Sequence, residues 1–279
     1  MVRIVTDSTC DLTRERMAEL GVRCVPLTVH IGQAVYHDGV DLTNAVFYEK
    51  LRTEADFPTT AQPTPHAFEE VFSSCLAQGE DVVCILISTE LSGTAQSAHI
   101  AREMLESDRI FIVDSRTACL ALGLLVEIAA KRAAEGGSAE EIAQEIEGLT
   151  ERVRINAAVE TLEYLKKGGR LSGTAAALGT MLNIHPLVGI LEGKVVQLGK
   201  ARGRKKMFEG LRKMTEADGI DDGYPVLLGH AQSPENYRQL AEVCAPLTEG
   251  REMLYGEIGC VIGSHAGPGV VAITYIKKD

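Results

Sequence analysis

The first half of the chain alternates short apolar runs with longer stretches of helical period. Val2 to Asp7, Asp81 to Ile87 (DVVCILI) and Arg109 to Val113 (RIFIV) have the apolar character of strands buried on both faces. Ala67, Phe68, Val71, Phe72 and Cys75 fall on one face of a predicted helix that opens at Thr64-Pro65 and stops at Gly79. Further helices are predicted from about Thr94 to Glu106, from Thr117 to Glu135, and from Ser138, whose spacing to Glu141 is that of a capping box. Strands alternating with helices of this length predict a parallel sheet with helices on both faces.

The pattern changes after about Arg154. Glu192-Gly193 separates two apolar-rich runs between Leu187 and Lys200, which predicts a hairpin. A basic helix from about Arg204, a strand at Pro225 to Gly229 and a helix opened by Ser233-Pro234 follow. Two strand-like segments, Met253 to Ile262 and Val270 to Ile276, flank what reads as a Gly-rich loop. The expectation is an α/β protein of two domains with a ligand cleft between them. Residues 1–155 would form the parallel-sheet domain and residues 156–279 an α+β domain on a mixed sheet.

Composition adds constraints. The chain has 279 residues, 45% hydrophobic and 24% charged, so a folded globular protein is expected. Its 28 Lys and Arg against 39 Asp and Glu give a net charge of −11, which argues against a nucleic-acid-tracking surface. No apolar run approaches the roughly 20 residues of a membrane span, and no signal-peptide core precedes the first strand, so a cytoplasmic location is expected. The seven Cys, odd in number and without a C-x-x-C pair, read as reduced core residues, and no His or Cys spacing predicts a metal site.

Candidate chemistry gathers at strand ends. Ser88 to Ser97 (STELSGTAQS) follows a buried strand and opens a helix, which places Ser92, Gly93 and Thr94 where unpaired N–H groups and the helix dipole favour an anion. Ser92 or Thr94 would serve equally well as an ordinary N-cap. Asp7-Ser8 and Asp114-Ser115 end two other strands, and Thr60 lies in a Pro-punctuated loop, so one shared polar crevice is expected. His265 falls in the Gly-rich segment. The familiar motifs for serine hydrolases, phosphate loops, dinucleotide folds and zinc proteases are absent, although a small-molecule enzyme in the same crevice, a hydrolase using Ser92 with His265 or a kinase-like protein, stays open as an alternative. Against the acidic background, Lys166, Lys167 and Arg170, then Lys200, Arg202, Arg204, Lys205 and Lys206, form two basic runs, the second at a helix start where cations oppose the dipole.

Taken in order, these segments resemble the DegV family, bacterial two-domain proteins that bind a fatty acid and present it to a fatty acid kinase. The resemblance runs through Thr6-Asp7-Ser8, Thr60-Ala61-Gln62-Pro63, Leu91-Ser92-Gly93-Thr94, Val113-Asp114-Ser115, Leu162 to Ser172, Leu182-Asn183-Ile184, Arg202 to Lys206 and Gly263 to Gly269. Ala61, His185 and Gly203 depart from the family's usual Ser, Lys and Thr. The resemblance implies that Thr60 and Ser92 hold a long-chain fatty-acid carboxylate, with His265 in the connected polar network. It also implies that Arg170, Arg202 and Arg204 form a rim for the kinase and the transferring phosphoryl group, and that the protein is a carrier with no cofactor and no catalytic residue of its own. Leu27, Leu91, Leu122, Leu162 and Ile262 are candidates for the acyl tunnel.

Overall fold

A computed structural model describes residues 1–172 and 183–279; Leu182, part of one family-like segment, lies outside them. The first half runs β1 (Val2–Asp7), α1 (Arg14–Glu19), β2 (Arg23–Val25), β3 (Thr28–Ile31), β4 (Ala34–His37), α2 (Asn44–Thr53), β5 (Thr59–Ala61), α3 (Pro65–Ala77), β6 (Asp81–Leu86), α4 (Thr94–Met104), β7 (Ile110–Asp114), α5 (Leu120–Ala134) and α6 (Ala139–Leu149). The second half runs β8 (Val153–Ala158), α7 (Glu163–Lys167), β9 (Ile184–Leu191), β10 (Lys194–Arg202), α8 (Arg204–Asp218), β11 (Val226–His230), α9 (Pro234–Thr248), β12 (Met253–Glu257), α10 (Cys260–Ala266) and β13 (Val271–Ile276).

Strands β2, β1, β6 and β7 form a parallel sheet in that order. Its central strand β6 is buried along five of six positions, as a strand covered on both faces requires. A second sheet, in the order β10-β9-β8-β13-β11-β12, is mixed: β11 and β12 are parallel and the remaining pairs antiparallel. Helix α5 packs against strands of both sheets. Every residue from Leu120 to Ala130 is buried, and a helix apolar on nearly every side belongs in such an interior position, its one buried acid, Glu127, being paired with Arg16.

Local chemistry fixes the joints. Ser138 and Glu141 form the complete capping box of α6, a feature that stabilises a helix by about 1 kcal/mol. Glu192 (φ 50°) and Gly193 (φ 80°) make the two-residue turn between β9 and β10, with both residues left-handed as the twist of a hairpin demands. The hairpin tip rests on the first half: Lys194 Nζ lies 3.2 Å from Glu90, and Gly193 sits against Ser88.

Two features differ from the sequence reading. Thr59–Ala61 is a strand, part of a small antiparallel sheet β4-β3-β5, where a loop is expected. The Gly-rich segment holds helix α10, so the strand expected from Met253 to Ile262 ends at Glu257. Among the described residues no helix is long and apolar enough to cross a membrane.

Candidate functional site

Helix α10 is positioned by its N-terminus. Its entry N–H groups at Gly259 and Cys260 donate to Asp11 Oδ1 (2.9 Å) and Asp38 Oδ1 (3.2 Å), and Tyr48 donates its hydroxyl to Ile258 O. The helix ends at Gly267, whose φ of 79° and N–H bond to Gly263 O close the last turn. His265 therefore projects at a fixed place, and its Nε2 is hydrogen-bonded to Thr60 Oγ1 at 2.8 Å. Thr60 in turn is held by the pairing of β5 with β3, opposite Val29. Burial, and then the charge of Arg170, lower the His265 pKa to about 4, so the ring is neutral across the physiological range.

The second hydroxyl arises at the turn from β6 into α4. The N-cap of α4 is Gly93, and no side chain caps the helix. Neither Ser92 nor Thr94 is spent on capping; their hydroxyls bond one another at 2.8 Å. The first-turn N–H groups of α4 are thereby left for a ligand, beside the positive end of the helix dipole.

Thr60, Ser92, Gly93, His265 and Arg170 border one cavity of about 300 Å³. Its remaining walls are overwhelmingly aliphatic. Leu27, Ile87 and Leu91 come from the first half, Val261 and Ile262 from α10, and Ile155, Ala157, Val188 and Ala272 from one face of the mixed sheet. The register explains that face, because Ala272 pairs with Ala157 and Ala157 with Val188 across three strands. The arrangement is a cavity with mainly apolar walls that also carry hydroxyls, one neutral imidazole and one guanidinium. Such a cavity suits a long apolar molecule with a small anionic head.

The expected polar crevice is narrower than the sequence implies. Asp7 accepts the backbone N–H groups of Thr9 and Ile87, and Asp114 accepts those of Thr89 and Arg116. Ser8 accepts the N–H of Leu27, and Ser115 donates to Thr117 O. These four residues pin the loops around the site and do not border the cavity; a carboxylate at a strand end is engaged by the N–H groups of the next turn before any ligand reaches it. Of the basic residues, Arg170 borders the cavity and donates to Leu91 O and Gly168 O. Arg202, the last residue of β10, and Arg204, the first of α8, are exposed and lie outside the cavity wall. Of the apolar candidates, Leu27, Leu91 and Ile262 border the cavity, whereas Leu122 and Leu162 belong to the surrounding core.

Sequence reasoning missed Gln62, Gly168 and the sheet-face residues as parts of the site. The alternation of β13 carries a signal for the last group: Val271, Ile273 and Tyr275 pack on one side, leaving Ala272 to face the cavity. Gly168 lies in the family-like segment Leu162 to Ser172, but nothing in that segment tells that it closes on His265, far along the chain. Among the described residues no group of three or more His, Cys, Asp or Glu is arranged to hold a metal ion.

Comparison with known proteins agrees with this architecture. A DegV domain-containing protein of Caldanaerobacter subterraneus is 36% identical, covering 99% of each chain. A solved DegV family protein of Thermus thermophilus, described for its fatty acid binding, superposes with a TM-score of 0.89 at 36% identity over the whole of both chains. A stearic-acid-binding protein of Eubacterium ventriosum superposes with the same score at 28% identity, over 100% of this chain and 99% of the other. The family model described as "Uncharacterised protein, DegV family" matches residues 1–278, and the chain belongs to the DegV family.

Proposed function

We propose that this protein is a cytoplasmic carrier that binds one long-chain fatty acid and presents its carboxylate to a partner kinase. The observation that carries the reading is the Thr60–His265 hydrogen bond on the wall of an aliphatic cavity. A neutral His265 that donates from Nε2 to Thr60 leaves the Thr60 hydroxyl proton free for a carboxylate oxygen. Ser92 and the start of α4 supply the second set of donors. Hydrogen bonds to an ionised partner contribute about 1.5–3 kcal/mol each, and every buried methylene of the acyl chain about 0.8 kcal/mol. The parallel-sheet half, residues 1–155, would contribute both hydroxyls, and residues 156–279 the histidine and the cations.

A hydrolase reading fares worse. His265 is bonded to Thr60 and Ser92 to Thr94, so Ser92 has no base at hydrogen-bond distance among the described residues. Carriage of the ligand is further supported by the similar proteins described as binding fatty acids.

The decisive experiment extracts the purified protein with organic solvent and identifies the released molecule by mass spectrometry. Stoichiometric fatty acid is expected, and Ser92→Ala should weaken binding by roughly tenfold or more, the loss of one charged hydrogen bond. A protein that comes out empty and fails to take up added fatty acid would refute the reading.

In the kinase step the γ-phosphoryl group of ATP passes to a carboxylate oxygen, giving an acyl phosphate and ADP. Arg170 at the cavity, with Arg202 and Arg204 on the surface, supplies positive charge for that transfer or for an acidic partner surface. Arg202→Ala is expected to retain bound lipid while slowing acyl-phosphate formation in a reconstituted kinase assay. Unchanged turnover would remove Arg202 from this role.

A further inference from the structure

Gly93 has φ −77° and ψ 12°, backbone space open to any residue, so no conformational demand explains a glycine there. A Cβ at this position would stand 2.8 Å from Cδ and 2.9 Å from Nε2 of Gln62, and nearer still to Oε1. The Gln62 amide thus lies where a side chain at position 93 would be. From that seat its Nε2 donates to Ser97 Oγ at 3.0 Å, on the second turn of α4. Gln62 also borders the cavity, two residues after Thr60, and its seat immediately follows Ser92.

The two hydroxyls of the site stand on separate elements, Thr60 on the small antiparallel sheet and Ser92 at the mouth of the parallel one. Among the described residues, the Gln62–Ser97 bond is the one hydrogen bond that joins the two segments. Two donors that converge on a single carboxylate must keep their separation to within a fraction of an ångström, because hydrogen bonds weaken steeply with distance and angle.

We propose that Gln62 is a positioning residue for carboxylate recognition: seated on Gly93 and anchored to Ser97, it sets the gap between the Thr60 and Ser92 hydroxyls. The inference rests on the reading that those hydroxyls hold the carboxylate. An Ala at position 93 would push the amide off its seat and break its anchor, and removal of the Gln62 side chain would have the same consequence by another route.

The test compares dissociation constants for palmitic acid and for hexadecanol, which offers the same chain without the carboxylate. Wild type, Gln62→Ala, Gly93→Ala, the double variant and Ser92→Ala are measured, each after confirming a cooperative thermal melt. Gln62→Ala and Gly93→Ala should each reduce the preference for acid over alcohol by about tenfold while alcohol affinity stays within about twofold. The double variant should lose no more than either single change, since both remove one coupling. Equal losses for acid and alcohol, or additive losses in the double variant, would reduce Gln62 to an ordinary packing residue. Should Ser92→Ala abolish the preference while Gln62→Ala preserves it, the positioning role alone fails. If Ser92→Ala also leaves the preference intact, the carboxylate reading falls with it.

Discussion

Gly168→Ala should cripple fatty-acid binding although residue 168 donates nothing to a ligand. A Cβ there would stand 3.0 Å from Cε1 of His265 and closer still to Nδ1, with Tyr164 O at 3.1 Å on another side. His265 cannot yield easily. Its backbone belongs to a helix fixed at its start by Asp11 and Asp38, and Nδ1 is already buried without a hydrogen-bond partner among the described residues. The ring must therefore turn, and the bond to Thr60 is the contact that turning breaks. Forced overpacking of this kind costs about 1–3 kcal/mol. Calorimetric titration with a fatty acid should show a loss of about tenfold to a hundredfold, on the scale of that energy. Gly148→Ala provides the contrast. It lies in α6 with nothing within 4 Å of its added Cβ, and the better helix propensity of Ala should stabilise the fold by about 0.5–1 kcal/mol without touching affinity. Wild-type affinity in Gly168→Ala would mean that His265 is dispensable to the site.

These glycines show which parts of the molecule are legible in sequence. Helix α5 and the parallel strands are readable because burial on all sides demands uninterrupted apolar residues, and the β9–β10 turn because two left-handed residues leave few choices beyond a pair such as Glu192-Gly193. Helix α10 is not readable in this way. The glycines around it argue for a loop, and Gly263, inside the helix, costs about 1 kcal/mol relative to Ala, yet Gly263 is there for closeness. A Cβ at that position would meet Phe47 Cε1 at 2.8 Å and Tyr48 Cζ at 2.9 Å, so the glycine lets α10 lie directly on α2. The short strand β5 is hidden for another reason: three residues, two exposed and one half-buried, are too few to display a period. Thr60 and Ser92 stand out beforehand as hydroxyls in recognisable segments; Gln62 and Gly168 lie in such segments too, but their parts depend on Gly93, Ser97 and His265, partners distant in the chain.

Fold stability should fall as pH rises above about 4, the unfolded carboxylate pKa, and Asp11→Asn should remove part of that fall. Asp11 and Asp38 are each 5% exposed, and each accepts a single backbone N–H from the start of α10 with Oδ1. Their Oδ2 atoms are buried with no hydrogen-bond partner among the described residues. A Cβ on Gly259 would lie 2.9 Å from Asp11 Oδ1 and 3.6 Å from Asp38 Oδ1, so the two carboxyls flank the same point. The titratable groups whose charges act with Asp11 are Asp38, Asp7, Tyr48 and the Cys10, Cys119 and Cys260 thiols, and none of these is a cation that would favour the ionised form. Burial consequently pushes Asp11 well above the usual carboxylate range, and it raises Asp38 and Asp7 as well. A carboxyl whose folded pKa exceeds its unfolded value of about 4 retains a proton that the unfolded chain releases. Its contribution to stability is thus present at acid pH and is lost as pH rises through the folded pKa. Asn at position 11 accepts the φ of 53° and keeps an oxygen for the Gly259 N–H. It resembles the protonated acid, so thermal melts of wild type and variant should coincide at or below about pH 4, the unfolded carboxylate pKa, and separate as pH rises. At pH 8 the variant should melt higher by a few degrees, the effect of about 1 kcal/mol in a chain of this size. Curves that run parallel from about pH 4 to 8 would show that Asp11 folds already ionised. In that event the dipole of α10 and its one N–H bond suffice to hold a buried charge, and the joint between the two halves of the molecule gains strength from the very group expected to weaken it.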